Sequence, residues 1–449
     1  MNISCRVVRT RDKGALWTLP SEILEQLKLK ENDDVTLRCG SASATARIGR
    51  LKLSMSGAAG LSTKLFRTLG IPPGVTLLVK PEDNKAFRLG PVIGVLTFSS
   101  IIAEQKLFYY STQAILNRNN GIYFVFSGRD LNPRNRTVRG YYYDHQENYW
   151  KPGAFPFPDV VIDRCYPNVD AYHSILEKVI GARIFNRKSR INKLEFYQTL
   201  HRDPLLRKHI PETRPLKNTW ELDLFMQKYR EVFLKPDNSM KGKGIVTAKS
   251  LPGGLLACRY VKDGRDIVRG VPAGKIFGLL ESAAGRKRSY IIQQAIPRME
   301  YGGGPFSFRT WAMKNSEGRW VMPGMFAKGA FGGGFLTNFT AGASLVPLKE
   351  LFADILPRLA CTEDQLVSRL EGFTLKTAVA LDKNFGPLGE LGLDIVFDTA
   401  GKLWLIEANG NPGKIPIFMQ TEYPAWRHLV YQYPLAYATH LAGFEPGSI

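Results

Sequence analysis

One stretch near the end of the sequence, LGLDIVFDTAGKLWLIEANGNPG at 391–413, restricts the fold more than any other segment. Its two apolar runs flank DTAG, a typical turn sequence, and so predict a β-hairpin. Side chains alternate between the faces of a strand, so Leu405, Glu407 and Asn409 share one face. With a loop of two or four residues, Asp394 lies opposite Leu405, and Glu407 is its diagonal neighbour at roughly 7–8 Å. A three-residue loop would place the two acids on opposite faces.

These acids predict a metal site. Two carboxylates on a mostly apolar face repel each other and are costly to remove from water unless a cation lies between them. Mg²⁺ is the expected ion, with Mn²⁺ as the alternative, because it prefers oxygen ligands and is often shared with substrate phosphates. The candidate ligands are Asp394, Glu407 and the amide oxygen of Asn409. An exposed sheet face with solvated acids is the other interpretation, but the following GNPG turn favours close approach of a ligand to the backbone.

The composition favours an anionic partner. The 449 residues carry a formal net charge of +21, which attracts polyanions. The basic residues are dispersed, so we interpret them as a basic surface with a phosphate-binding pocket, and charge alone does not indicate a nucleic-acid partner. The five cysteines form no CxxC pair, which indicates reduced thiols in a cytosol. Since no apolar run approaches a membrane span and the N-terminus lacks a signal-peptide pattern, we expect a cytoplasmic protein without membrane contact.

The pattern along the chain predicts four domains. Residues 1–90 contain a faint repeat, LPSEILEQLKLKENDDVTL and LSTKLFRTLGIPPGVTL, which predicts a small pseudo-symmetric β-barrel. Such half-barrels also occur in DNA-binding regulators, although a structural or docking module is favoured. Residues 91–180 alternate strands with helices, as in a parallel α/β layer, with a polar loop between GIYFVF and PDVVIDRCY. Residues 181–298 and 299–449 show the turn spacing of antiparallel sheets, so the predicted fold class combines α/β and α+β.

Cations and glycines upstream of the hairpin are suited to phosphates. Lys235 ends an apolar strand and needs an anionic partner or an exit to water. The basic loop that follows, SMKGKG, is able to fold over phosphates through its backbone N–H groups. The loop residues predicted to bind a nucleotide are Ser239, Lys241, Gly242, Lys243 and Gly244. Such loops are also common on protein surfaces, so this motif alone indicates little.

Further polar groups interrupt apolar strands. Gln293 and Gln294 in YIIQQAI either mark a hinge whose main chain reads an adenine edge or lie on an edge strand. Arg309 and Lys328 belong to a second predicted hairpin, where arginine suits bidentate contact with a phosphate or carboxylate. A structural salt bridge is the alternative for Arg309. The segment GGGFLTNFTAG is able to close over a substrate, with Asn338 as its polar contact.

Together these features resemble the ATP-grasp superfamily, whose two antiparallel lobes follow a pre-ATP-grasp α/β layer. The order of Asp394, Glu407 and Asn409 is similar to the metal-binding pattern of that superfamily. Lys235 and the SMKGKG loop resemble its phosphate-contacting lysine and glycine-rich flap. The resemblance adds Lys193, in NKLEFY, as a second lysine near the nucleotide.

Several segments are similar, more narrowly, to the endospore coat-associated YheC/YheD family: GPVIGVLT, FPFPDVVIDR, IPET, KPDNSMKGKGIV and LGLDIVFD…WLIEANGNPG. The resemblance implies that Arg309 and Lys328 are catalytic cations, and that Arg309 and Asn338 contact the substrate. Three departures concern the acceptor side. Ser307 stands where Asp is common, Lys328 where Arg is usual, and the paired glycines that follow Asn338 in relatives are absent.

The resemblance implies a Mg²⁺- and ATP-dependent ligase that joins a carboxylate to an amine or thiol through an acylphosphate, releasing ADP and phosphate. Its acceptor would be a small molecule, a peptide or a coat component, and a homodimer is a further expectation. It would act in the cytoplasm, on the mother-cell side, in association with the spore coat. A non-catalytic, ATP-binding protein of coat structure or morphogenesis is the main alternative. A barrel that binds nucleic acid or another acidic polymer is the third.

Overall fold

The computed structural model contains four sheets, arranged one after another along the chain. The mixed α/β and α+β fold class is as predicted. Among the described residues, none of the helices combines the length and the apolar character needed to cross a bilayer. The structure describes residues 3–445 except 13, 52–57, 84, 119–120, 166–169, 181–182, 188–190, 240–241 and 420.

The first sheet closes into a barrel, which confirms the prediction for the N-terminal part of the chain. Its elements are β1 (Ile3–Thr10), β2 (Leu16–Leu19), α1 (Ser21–Gln26), β3 (Asp34–Cys39), β4 (Ala42–Arg50), β5 (Ala58–Ser62), α2 (Thr63–Leu69), β6 (Thr76–Pro81) and β7 (Ala86–Gly90). The strand order is β1-β5-β2-β4-β3-β7-β6. The helix-then-strand repeat in the sequence corresponds to α1–β3 and α2–β6. Trp17, Leu37 and Leu61 are fully buried in its core.

The second sheet is parallel at its centre. Its elements are β8 (Val92–Thr97), α3 (Ser99–Ala103), α4 (Phe108–Leu116), β9 (Ile122–Ser127), β10 (Leu131–Asn132), β11 (Thr137–Asp144), β12 (Tyr149–Pro156), β13 (Val160–Asp163), α5 (Asp170–Ile180) and β14 (Ile184–Phe185). Strand β8 lies between β9 and β13, and the pairs β9–β8, β8–β13 and β13–β14 are parallel. Because β14 joins this sheet beyond residue 180, the division into four domains stays a prediction.

The predicted polar loop between GIYFVF and PDVVIDRCY is wrong. Strands β10, β11 and β12 occupy this segment and extend the sheet with antiparallel pairs. Polar and glycine residues hide the strand signal, yet Val138 and Tyr142 of β11 point inward and Phe155 of β12 stacks on Phe124 with ring centroids 4.3 Å apart. Aromatic burial outweighs the weak local strand preference here.

The third sheet is antiparallel throughout. Its elements are α6 (Lys193–His201), β15 (Thr213–Leu216), α7 (Thr219–Tyr229), β16 (Glu231–Pro236), β17 (Val246–Ser250), β18 (Leu255–Lys262), β19 (Arg265–Pro272), α8 (Ile276–Ala284) and β20 (Tyr290–Gln294). The strand order is β15-β20-β16-β17-β18-β19. Helices α7 and α8 cover one face through a core that includes Leu222, Ile276 and Ile292.

The fourth sheet is also antiparallel and contains the hairpin predicted from residues 391–413. Its elements are β21 (Glu300–Tyr301), β22 (Gly304–Lys314), β23 (Trp320–Gly329), β24 (Ser344–Val346), α9 (Leu348–Leu359), α10 (Glu363–Phe385), β25 (Glu390–Phe397), β26 (Leu403–Asn409) and α11 (Pro424–Leu441). The order is β24-β23-β22-β25-β26, with β21 paired to β22. Helix α11 joins this sheet to the second one, since Val430 packs with Trp311 while Leu435 packs with Val95.

Candidate active site

The loop of the β25–β26 hairpin differs from the predicted one. Phe397 pairs with Leu403, and the backbone N–H of Asp398 donates to the Lys402 carbonyl at 2.9 Å. The loop between Asp398 and Lys402 therefore contains three residues. Continued without interruption, this register would place the two acids on opposite faces of the sheet, because a one-residue shift reverses every side chain.

A β-bulge brings the acids back to one face. Ile395 pairs with Leu405, but Asp394 pairs with Glu407, which leaves Ile406 as an extra residue in β26. Such a bulge compensates for the odd loop by shifting the register by one residue. Asp394 and Glu407 are consequently direct cross-strand neighbours, and the predicted diagonal arrangement is wrong while the shared face is confirmed.

Asp394 is held by two cations from adjacent strands. Arg309 lies opposite it on β22 and donates from Nε at 2.7 Å and from Nη2 at 2.8 Å, and Lys328 on β23 donates at 3.1 Å. Burial alone would raise the pKa of this carboxyl, but the charges and hydrogen bonds of Arg309 and Lys328 outweigh burial and hold it well below its usual range. Both predicted catalytic cations thus contact a predicted metal ligand.

Glu407 and Asn409 present free oxygen ligands. Glu407 lines a cavity, and its carboxylate forms no ion pair or side-chain hydrogen bond with any residue that the structure describes. Asn409 lies two residues further along the same strand, opposite Gly392, and its side chain is likewise without a hydrogen-bond partner in the described part of the chain. Unpaired carboxylate and amide oxygens beside an ionised Asp394 fit a hard divalent cation such as Mg²⁺.

Lys235 lies near the end of the predicted apolar strand, β16, and its side chain is buried and does not reach water. Its ammonium group donates to Gln293 Oε1 at 2.5 Å, and Gln293 Nε2 donates to Thr213 Oγ1 at 2.8 Å. Burial lowers the pKa of Lys235 to about 7, and the nearby positive charges of Lys193 and Arg298 also lower it. The negative charge of Glu407 acts in the opposite direction and raises it. An anion in this place would restore the lysine's charge.

The other predicted nucleotide residues lie around Lys235. Lys193 begins α6, and its Nζ donates to the carbonyl of Ser239 at 2.7 Å. The backbone N–H of Gln294 donates to the Glu212 carbonyl at 2.9 Å, so this hinge residue is tied to the segment before β15. The start of α6, the end of β16 and the end of β20 are therefore brought together.

The glycine-rich loop lies against the segment that contains Asn338. A Cβ on Gly242 would lie 2.8 Å from Asn338 Nδ2, and Gly242 has φ +73, so only glycine fits without strain. Ile245 packs with Phe335 and Leu336 next to this contact. Gly244 also has a positive φ, Lys243 is exposed, and the predicted residue Lys241 lies outside the described residues.

A cavity of about 730 Å³ lies between the third and fourth sheets. Of the predicted residues it collects Lys193, Lys235, Gln293, Gln294, Asn338, Asp394 and Glu407. Its lining does not include Ser239, Gly242, Lys243, Gly244, Arg309, Lys328 or Asn409.

Arg298 and Phe233 were missed by the sequence analysis. Arg298 lines the cavity, donates to the Phe335 carbonyl at 2.8 Å and stands 5.9 Å from the centre of the Phe233 ring. Burial lowers its pKa to about 10. The signal that singled out Arg309, a cation among apolar residues, was also present here between Ile296 and Met299.

Comparison with known proteins agrees with this architecture. The sequence model of the YheC/D-like ATP-grasp family matches residues 181–441, more than half of the chain. The protein therefore belongs to the YheC/D-like ATP-grasp family. This fold implies ATP-dependent ligase chemistry.

Two relatives from Bacillus subtilis (strain 168) carry the same description. Endospore coat-associated protein YheD is 26% identical over 369 residues, covering 79% of both chains. Endospore coat-associated protein YheC is 23% identical over 355 residues, covering 77% of this chain and 95% of the relative. Among solved structures, VanG D-Ala:D-Ser ligase from Enterococcus faecalis superposes with a TM-score of 0.45 at 12% identity, covering 78% of this chain and 98% of that one.

Proposed function

We propose that this protein is a Mg²⁺- and ATP-dependent ligase that joins a carboxylate to an amine or thiol through an acylphosphate. The observation that supports this most strongly is the charge pattern of the cavity. Lys193, Lys235 and Arg298 face Asp394 and Glu407 across it. Three cations suit the phosphates of ATP, and two carboxylates suit the metal ion that accompanies them.

The proposed roles follow the positions of the side chains. Asp394, Glu407 and Asn409 would hold Mg²⁺, which when bound neutralises phosphate charge and polarises the phosphoryl group that is transferred. Lys193 and Lys235 would bind phosphate oxygens. The loop with Ser239, Lys241, Gly242, Lys243 and Gly244 would cover the nucleotide, and Gln293 and Gln294 would border its base.

The chemistry requires no nucleophile from the protein. A carboxylate oxygen of the substrate attacks the terminal phosphorus of ATP, and the bond to the bridging oxygen breaks to release ADP. An amine or thiol then attacks the acyl carbon, loses a proton, and phosphate leaves. Arg309 and Lys328 would stabilise negative charge during these steps, and Asn338 with its neighbouring loop would shield the acylphosphate from water.

We further propose that the acceptor is a peptide or a coat component and that the protein acts on the mother-cell side, in the cytoplasm, in association with the endospore coat. The two relatives named for that association support this proposal. Association of two copies is part of the same proposal.

The decisive experiment measures ADP release from the purified protein with MgATP and a metabolite extract of sporulating cells. The wild type is compared with Glu407→Gln and with Glu281→Gln, a matched change at an exposed position of α8. Extract-dependent release should fall on the order of 10²–10³-fold in Glu407→Gln and persist in Glu281→Gln. Release that is equal in all three proteins would contradict the proposed metal site.

A non-catalytic ATP-binding coat protein is the second candidate, and one observation favours it. Both oxygens of Asp394 are engaged by Arg309 and Lys328, which compete with a metal ion for the same carboxylate. This candidate predicts nucleotide binding without ADP release, in an extract that supports a control ligase. Nucleotide binding measured beside the release assay therefore separates the two functions.

A further inference from the structure

A second cavity lies where the barrel meets the parallel sheet. It measures about 700 Å³. The barrel contributes the end of β3, the turn after it, the end of β6 and β7, while the parallel sheet contributes segments before β11, β13 and β14. The lining residues are Arg38, Gly40, Ser41, Glu82, Arg88, Arg136, Pro158, Asp159 and Arg183. We call this the arginine cavity.

The acids of the arginine cavity do not balance its arginines. Arg38 pairs with Glu82 at 3.0 Å, and Arg88 pairs with Asp159 at 2.8 Å and approaches Glu82 at 3.8 Å. Both acids are thus already engaged by the two arginines of the barrel. With four guanidinium groups and two carboxylates on its wall, the cavity carries an excess of positive charge.

The two arginines on the opposite wall are available. Arg136 and Arg183 are both exposed, and neither has a carboxylate within ion-pair distance among the residues that the structure describes. Arg183 is nevertheless near enough to Asp159 for its charge to oppose, with Arg88, the rise in the pKa of Asp159 that burial causes. Guanidinium groups present paired N–H donors that match phosphate and carboxylate oxygens. Two such groups facing one cavity repel each other, and a bound anion would relieve that repulsion.

Hydrogen bonds join the barrel to the parallel sheet at the wall of the arginine cavity. The Ser41 hydroxyl donates to the Arg136 carbonyl at 3.0 Å and accepts from the Phe157 N–H at 2.9 Å, while the Ser41 N–H donates to the Phe157 carbonyl at 3.0 Å. A Cβ on Gly40 would lie 2.3 Å from that carbonyl, so this turn of the barrel meets the sheet at a distance that only glycine allows. The docking fixes the backbone of Arg136 relative to the barrel.

The arginine cavity is separate from the candidate active site. Asp159 precedes β13 and Arg183 precedes β14, so the cavity lies at the amino ends of the parallel strands. Arg164, at the other end of β13, contacts Glu390 and the Pro412 carbonyl beside the metal-site hairpin. The arginine cavity therefore lies at the end of the parallel sheet that faces away from the metal-site hairpin, and no lining residue is common to both cavities.

We propose that the arginine cavity binds a small polyanion, bearing phosphate or carboxylate groups, that bridges the barrel and the parallel sheet. Arg136 and Arg183 contact the anion directly, and Arg38 and Arg88 add positive charge from the barrel. The ligand is small because the four arginines surround a single open cavity between the barrel and the parallel sheet. Such a ligand stabilises the docked barrel by binding both sides at once.

Isothermal titration of the full-length protein tests this site, with inorganic pyrophosphate as one probe and citrate as the other at equal ionic strength. Saturating MgADP in the cell keeps the candidate active site occupied. Arg136→Gln/Arg183→Gln should weaken binding by roughly 100-fold, since two charge-assisted contacts are lost. Arg129→Gln/Arg134→Gln removes the same charge from exposed positions outside the cavity and should bind as the wild type does.

A measurement on the wild type needs no variant. Modification by phenylglyoxal, read by mass spectrometry, should slow at Arg136 and Arg183 when the bound probe is present and stay unchanged at Arg134. Protection by pyrophosphate alone assigns a phosphate ligand, by citrate alone a carboxylate ligand, and by both the shared chemistry. Binding of neither probe, or binding that both double variants keep, would overturn the proposal.

Discussion

Two buried acids on strand β25, Asp394 and Glu390, have the same types of partner but different surroundings. Asp394 is held by one arginine and one lysine, and so is Glu390, four residues earlier on the same face: Arg164 contacts its Oε1 and Lys414 pairs with Oε2 at 2.7 Å. Asn186 donates a further hydrogen bond to Glu390 at 3.2 Å. In both cases the cations overcome burial and lower the pKa of the carboxyl.

The difference lies in what surrounds each cluster. Glu390 is fully enclosed, and its partners come from the end of β13 and from the loop after β26, so the cluster ties the parallel sheet to the last one. Asp394 lies opposite Glu407 on the wall of a cavity. An acid with one arginine and one lysine is therefore not by itself a site. An unpaired second acid and an open volume distinguish the candidate active site from a structural cluster.

The largest expected effect is on turnover in Asp394→Asn. This change removes a predicted metal ligand and leaves Arg309 and Lys328 without their anion. We expect extract-dependent ADP formation per folded molecule to fall at least about 10³-fold, the scale for removing a charge that acts on the transition state. Activity near that of the wild type would place Asp394 with Glu390 among the structural acids.

Glu390→Gln should instead reduce stability. It leaves Arg164 and Lys414 buried without a compensating charge, which typically costs about 3–5 kcal/mol. Urea unfolding followed by fluorescence measures this loss, with Glu281→Gln as an exposed control. Nucleotide affinity of the folded fraction should stay close to the wild-type value. A large loss of affinity without a loss of stability would make Glu390 part of the active site.

Nucleotide binding should take up a proton through Lys235. In the free protein burial holds its pKa at about 7, and phosphate would raise it, so above pH 7 binding must protonate the lysine. Affinity should be highest below about pH 7 and fall as the pH rises, with proton uptake that increases above that pH. Calorimetry in two buffers of different ionisation enthalpy measures the uptake, and Lys235→Gln should abolish it.

The smallest expected effect concerns the glycine-rich loop. Gly242→Ala would place a methyl group against Asn338 and strain a backbone with φ +73, so nucleotide affinity should fall by about 3–10-fold. Gly253→Ala is the matched control, because Gly253 has φ +75 and nothing within 4 Å of an added Cβ. Equal affinity in both variants would show that the contact between the loop and Asn338 does not affect binding.

The predictable part of the site consisted of charged residues that have apolar neighbours in the sequence. Lys235, Arg309 and Asp394 each interrupt an apolar strand and have partners of complementary chemistry; Lys235 and Asp394 are buried, and Arg309 is partly buried. Arg298 carried the same signal and was overlooked. Which residues pair with one another was not predictable, because the paired residues are far apart in sequence. Arg309 and Asp394 are separated by 85 residues, and Arg164 and Glu390 by 226.

The hairpin separates local from tertiary information most clearly. Asp394 and Glu407 share one face as predicted, but for a different reason: the loop contains three residues and not two or four, and the bulge at Ile406 restores the shared face. The run of four apolar residues from Leu403 to Ile406 does not indicate where the compensating bulge lies. Strands β10 to β12 were missed for a related reason. Packing against β9 stabilises them, whereas the strand propensity of their own residues is weak.

The sequence by itself determined the repeat of the barrel, the antiparallel character of the last two sheets and the residue types available for binding phosphate and metal. Period, turn residues and charge act locally, so they can be read from neighbouring positions. Only the tertiary structure decided that Asp394 opens onto a cavity while Glu390 is enclosed, and that four arginines from the barrel and the parallel sheet meet in one place. Both outcomes depend on which distant segments pack together, because burial and charge pairing belong to the folded arrangement of the whole chain.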